Sequence, residues 1–472
     1  MNLKLVLKPV LVALCCALLL DGLALTPQAQ DSPFTRIDRD PARVILRYDP
    51  KTFDFHVAPP ASYTARDSVK TATIIIDYLP AGSTDVAGSP CYAWPAEAKT
   101  AFRYAADVWE TLVRSDVPIR IETCWTEFDE EGVLGYGGVM SWYGGPPSLS
   151  GYQVSPTVYP VSLVNAFTKS DVNDNDNTDS NGDGADADSE MFVAYSREFD
   201  WYFGTDGNTP EGQVDFASVV LHEICHGLGF TGRGAVDMNG TGYLGFLSSE
   251  GKIVPGVYDA YAKNGQGQSL FSLPNPSTEM GNQLQGEDVF FDGPNANAAN
   301  GGTPPELFAP PVWMPGSSYS HLDESFNGTI NALMTFALNA GESNHNPGPV
   351  AMGILKDLGW NYNYTPTLSI PDVTLLLNKS KTLDLWDYTS DQNDAPDTLS
   401  YSLVGTGGST LLISGTARIS GTHYLYIEPQ STEIVRDIEV QVMDPEGATD
   451  SSRFQVTFVE QLPMYLPFVI QN

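Results

Sequence analysis

The chain has 472 residues, 42% of them hydrophobic, with 43 Gly and 34 Pro: enough length for two or three domains, and too many turn-formers for a coiled coil. Asp and Glu number 58 against 24 Lys and Arg, a formal net charge of -34, which excludes nucleic acid and anionic membrane surfaces as natural partners.

Lys4 and Lys8 precede an apolar run from Val10 to Leu20 that is too short to span a bilayer, so residues 1–30 read as a signal peptide cleaved between Ala24 and Gln30. The protein is therefore expected to be secreted, with no integral membrane segment later in the chain. Beyond that leader three cysteines remain, and in an oxidising compartment Cys91 and Cys124 are the natural disulfide pair. Cys225 falls inside the strongest motif and reads as a small packing residue.

Residues 31–70 are polar and Pro-containing apart from Val44–Leu46, and read as an N-terminal extension or prosegment. The run from Thr71 to Tyr78 has strand character. From Pro95 to Val113 the apolar residues Phe102, Ala105, Ala106, Trp109 and Val113 recur at three and four, predicting a helix, and Val117 to Trp125 alternates as a returning strand. Strand, helix and strand argue for an α/β or α+β first domain, residues 71–364, rather than an all-β one. An acidic tract ends in D-S-N-G-D-G-A-D-A-D-S-E, where Asp179, Asn181, Asp183 and Glu190 stand at calcium-loop spacing around Gly184. These four are candidate calcium ligands, although Asp186 replaces the usual apolar residue and M-F-V-A-Y then looks like a strand. Residues 365–460 change to short alternating runs separated by Gly, Pro and Asp, which predicts an all-β sandwich, and residues 461–472 form a tail.

The segment carrying chemistry is V-D-F-A-S-V-V-L-H-E-I-C-H-G-L-G-F, residues 214–230. Asp215 can cap a helix that puts His222 and His226 one turn apart on one face, where both imidazoles can reach one Zn2+. Glu223 can aim its carboxylate at a water beside the metal without being a ligand. A catalytic zinc needs a third protein ligand, and the remaining histidines are His56, His321, His345 and His423.

H-E-I-C-H-G-L-G resembles the front of the metzincin signature H-E-x-x-H-x-x-G-x-x-H, with Gly229 at the position that turns the chain under the metal. Position 232 is Gly where the short signature has its third His. The leishmanolysin branch inserts a long segment there, and by that resemblance His321 in S-H-L-D-E becomes the third ligand and Met334 in A-L-M-T the floor of the metal site. The resemblance implies an α+β metzincin-like zinc peptidase domain, Glu223 as general base, and substrate lying along an edge strand at Met191–Tyr195. Tyr319 is a candidate oxyanion group. A further likeness, to cadherin-like or immunoglobulin-like repeats, suggests that Asp387, Asp391 and Asp444 of the sandwich hold calcium. His345 and Cys225 stay open as rival zinc ligands.

The expectation is a secreted, monomeric zinc endopeptidase acting on protein or peptide. The alternative is a calcium-dependent surface or matrix-binding protein with a non-catalytic metzincin-like fold.

Overall fold

A computed structural model describes residues 35–38, 43–64, 70–144, 157–173, 188–247, 251–361, 366–391, 394, 396–404, 417–445 and 449–461. Residues 1–30, read above as a signal peptide, and Asp179, Asn181 and Asp183 lie outside the described residues. The chain divides into two compact units, Met1–Leu358 and Gly359–Asn472.

The first unit is a mixed α/β structure around a six-stranded sheet. Its strands are β1 (Val44–Thr52), β2 (Ile74–Tyr78), β3 (Ile119–Thr126), β4 (Val133–Val139), β5 (Met191–Ser196) and β6 (Ala337–Ala340). In space they run β6-β1-β4-β5-β3-β2. Strands β2, β3 and β5 are parallel, as expected of nearly continuous apolar runs covered by helices. β4 is antiparallel to both β5 and β1, and β1 is parallel to β6.

Three helices matter most for the site: α1 (Ala96–Glu110), α2 (Phe216–Gly227) and α3 (Gly348–Leu358). The three-four repeat of α1 buries Phe102, Ala105, Ala106 and Trp109 completely, each at 0% exposure. The Trp109 indole N–H donates to the Leu221 carbonyl at 3.0 Å, so the packed face of α1 also fixes the height of α2. Cys91 and Cys124 are disulfide-bonded within a buried cluster of Tyr136, Phe192 and Ala194, pinning the approach to α1 against β3.

Strand β1, within the stretch that reads as an extension or prosegment, is an interior strand of the sheet with Val44 and Leu46 buried, each contributing about 1.5–3 kcal/mol. One expectation is corrected: Met191–Ser196 is not an edge, since its backbone is paired on both sides, to β3 and to β4. Alternation and apolar content mark a strand but say nothing about which neighbours claim its two rows of peptide groups.

The second unit is built of β-strands with a few turns of 3-10 helix. A four-stranded sheet orders Val373–Leu376, Thr449–Val459, Ile434–Met443 and Ser400–Leu403, and a three-stranded sheet orders Lys381–Asp384, Tyr424–Ile427 and Ala417–Ser420. Alternate residues of both sheets, among them Ile438, Val440, Val442, Phe454, Leu425 and Ile427, meet in one apolar cluster. Asp391 and Asp444 come together with Asp394 in this unit, and Asp387 is not one of the three.

Candidate metal centre

Helix α2 starts because the Asp215 carboxylate accepts the Ser218 backbone N–H at 2.8 Å, supplying the cap that the sequence promised. It then stays buried along its whole length, which its run of Phe, Ala, Val, Leu and Ile side chains allows. Gly227 is required where the helix crosses β5: a Cβ there would lie 2.5 Å from the Met191 sulfur. Gly229 takes φ 111°, a conformation open to glycine, and the chain turns away beneath the last helical turn.

The turn brings His222, His226 and His321 together, although His321 is 95 residues beyond His226. Their Nε2 atoms lie 2.9, 3.2 and 3.3 Å apart. Each Nδ1 faces a backbone carbonyl: His222 to Leu333 at 2.6 Å, His226 to Phe230 at 2.6 Å and His321 to Ser317 at 2.7 Å. A carbonyl oxygen only accepts, so each Nδ1 carries the ring proton and each Nε2 presents a lone pair. Three lone pairs converging at this distance cannot satisfy one another. A tetrahedral ion with nitrogens at about 2.0–2.1 Å would separate them by roughly 3.3 Å and satisfy all three, so the donor set fits zinc. Burial lowers the pKa of His222 to about 4 and those of His226 and His321 well below the usual value, which keeps the rings neutral, the form that binds metal.

Glu223 is wholly buried beside them, and neither carboxylate oxygen has a partner that meets hydrogen-bond geometry. Burial pushes its pKa well above the ordinary range, partly offset by the nearby Leu46 peptide. Strand β4 crosses close to it: a Cβ on Gly137 would lie 2.6 Å from the Glu223 carbonyl oxygen and 2.9 Å from Oε2. Met334 ends the 3-10 turn Ala332–Met334 and is fully buried, one residue past the carbonyl that orients His222.

The rival ligands are committed elsewhere. His345 Nε2 is 2.9 Å from Asp215 Oδ2 and its Nδ1 is 2.9 Å from the Tyr104 hydroxyl, a buried chain that braces the start of α2. Cys225 is a free thiol, fully buried and raised in pKa by burial. Tyr319 is turned away from oxyanion duty, because its hydroxyl donates to Asp259 Oδ1 at 3.1 Å. Its ring backs onto Gly232, where a Cβ would fall 2.2 Å from Cε1, so the position of the short signature's third His is sterically closed. Asp259 went unnoticed in the sequence. Its carboxylate accepts from the Arg233 and Gly256 backbones and organises the long insertion before His321, and burial raises its pKa to about 6.

Glu190 is the one candidate calcium ligand of the acidic tract among the described residues. It is 1% exposed, its Oε2 accepts the Arg120 N–H at 2.6 Å and its Oε1 accepts the Asn165 amide at 3.1 Å. That same amide nitrogen also reaches Asn173 at 3.0 Å and Asp171 at 3.3 Å. Being the residue before β5, Glu190 is drawn into the sheet's own polar network.

Among the described residues no helix is long and apolar enough to cross a membrane. A family model described as SPBPB7E8-like matches residues 155–238, a stretch that includes α2. Comparison with curated proteins finds no match. Among solved structures, a nucleoside hydrolase-related hypothetical protein from Saccharophagus degradans, associated with carbohydrate metabolism, is 14% identical over 39% of this chain and 49% of its own, with a TM-score of 0.17. The chain thus spans about half of that structure, and so low a score bears on neither fold nor activity.

Proposed function

We propose that this chain is a secreted zinc-dependent endopeptidase whose first unit is metzincin-like, of the leishmanolysin kind, acting as a monomer on protein or peptide. The observation that carries the reading is the meeting of three Nε2 lone pairs with a buried carboxylate that has no partner of its own. The long insertion and the turn at Met334 fit the resemblance, and the disulfide fits an oxidising compartment.

His222, His226 and His321 would hold the metal. A zinc ion there supplies Lewis acidity, lowering the pKa of water toward about 7 and polarising a carbonyl. Glu223 would accept the proton of the attacking water and hand it to the leaving amine, its carboxylate standing beside the three imidazoles with neither oxygen committed to another side chain. The three carbonyls behind the imidazoles hold the ring planes, so the nitrogens need no reorganisation during turnover.

Casein hydrolysis by purified protein, with and without a zinc chelator, tests the reading beside Glu223→Gln and His321→Ala. Wild type and Glu223→Gln equally inert, each with one bound zinc, would replace it with a binding protein.

A further inference from the structure

The backbone of β1 runs through the candidate centre. Its Leu46 pairs with Gly135 of β4, where a Cβ would lie 3.2 Å from Glu223 Oε1, and the Arg47 side chain donates to the Ser317 hydroxyl at 3.2 Å. The Ile45 N–H donates to Gly316 at 2.8 Å, and the Ser317 hydroxyl donates to the Ile45 carbonyl at 3.1 Å, while the Ser317 carbonyl holds His321. Further along the same flank, the Arg47 N–H donates to Phe336 at 3.0 Å, two residues past Met334. With β1 in place the ligands and Glu223 are all exposed by 1% or less, so nothing the size of a peptide reaches them.

From this we infer that the slot between β4 and β6 is the binding site for an extended peptide, and that the chain's own Val44–Thr52 strand fills it as an internal occupant. The inference rests on the endopeptidase reading. The occupant runs antiparallel to β4 and parallel to β6, with Val44 opposite Gly137, Leu46 opposite Gly135 and Arg47 opposite Ala337. Main-chain pairing of this kind recognises any extended chain, and side-chain pockets at every second residue set preference. Val44 and Leu46 point into the buried face, at 3% and 2% exposure, whereas Ile45 and Arg47 are half-buried. The ligand class is therefore an extended peptide with an aliphatic residue at the buried position that Leu46 now fills. Gly135 and Gly137 let β4 lie directly against α2, since a Cβ on Gly137 would strike the Glu223 backbone, and so bring whatever pairs with β4 beside the centre. Release of β1 exposes a row of unpaired β4 peptide groups beside the metal, so the same strand that completes the sheet keeps the enzyme latent without a cysteine.

The test uses the full chain with a site-specific protease sequence inserted after the exposed Phe53, with and without Leu46→Asp to weaken the strand's hold. After cleavage and sizing, mass spectrometry reports whether the N-terminal fragment has left. Expected on release are a rise of at least about tenfold both in hydrolysis of a fluorogenic aliphatic peptide and in the rate at which a chelator strips zinc. A synthetic peptide of residues 43–53 should restore inhibition, and its Leu46→Asp form should not. Rates unchanged after release, a fragment that cannot be released even with Leu46→Asp, or loss of circular-dichroism structure on release would each show β1 to be a permanent part of the sheet, leaving the endopeptidase reading untouched. Faster zinc stripping and tight binding of labelled 43–53 with no hydrolysis of any peptide would keep the slot and remove the endopeptidase.

Discussion

Glu190 and Glu223 are both buried glutamates next to the central sheet, both with pKa raised chiefly by burial, and they differ in one respect. Glu190 accepts from a backbone N–H and a side-chain amide, whereas both oxygens of Glu223 are without a partner. A buried carboxylate left unsatisfied costs about 1–3 kcal/mol or more, a cost that an ion or substrate group at the candidate centre would relieve. Burial alone therefore does not separate the two glutamates; their hydrogen bonding does.

The largest effect that would sharpen this contrast is on turnover. Glu223→Gln is expected to lower kcat by about 10²–10⁴-fold with zinc content unchanged, whereas Glu190→Gln stays within roughly twofold of wild type. Steady-state kinetics with metal analysis checks both, and a comparable loss at Glu190 would erase the distinction. Next in size, His321→Ala should lose its zinc by metal analysis. His345→Ala should keep its zinc while losing about 1–3 kcal/mol of stability in denaturant unfolding, because it leaves the buried Asp215 and Tyr104 groups short of a partner.

A smaller effect appears in the pH dependence of unfolding. The folded chain holds the Glu190 proton up to about pH 8, while the unfolded chain sheds it near the model-compound value of 4.5. Stability from this group is full below that lower value and falls as pH rises through the interval, by up to about 1.4 kcal/mol per pH unit, levelling off above it. Glu190→Gln, neutral throughout, should flatten the slope, and the difference between the two unfolding curves measures it. Calcium bound at Glu190 would reverse the slope, and wild type with and without added calcium would show it.

The local elements were legible. The three-four repeat of Phe102, Ala105, Ala106 and Trp109 gave α1 within a few residues, and the cap at Asp215 with i, i+4 imidazoles gave the orientation of His222 and His226. These are properties of a single turn of chain. The place of β1 was not legible, because pairing to β4 and β6 depends on groups about ninety and three hundred residues away. The engagement of His345 with Asp215 was equally hidden: a histidine in a polar loop gives no sign of which carboxylate it will meet. The burial of Glu190 was hidden too: loop spacing describes what acidic residues can ligate, not that the neighbouring β5 draws this one inside.

By itself the sequence determined what its short-range physics controls: helix and strand identity, an acid-rich surface, and two histidines and a glutamate on one helical turn. Through the resemblance it also pointed to His321, but only the tertiary structure decided that His321 rather than His345 joins them, which glutamate is left without side-chain partners, and that the N-terminal strand lies beside the centre. Those depend on backbone pairing and burial between segments far apart in the chain, where many arrangements satisfy the same local pattern and packing selects one.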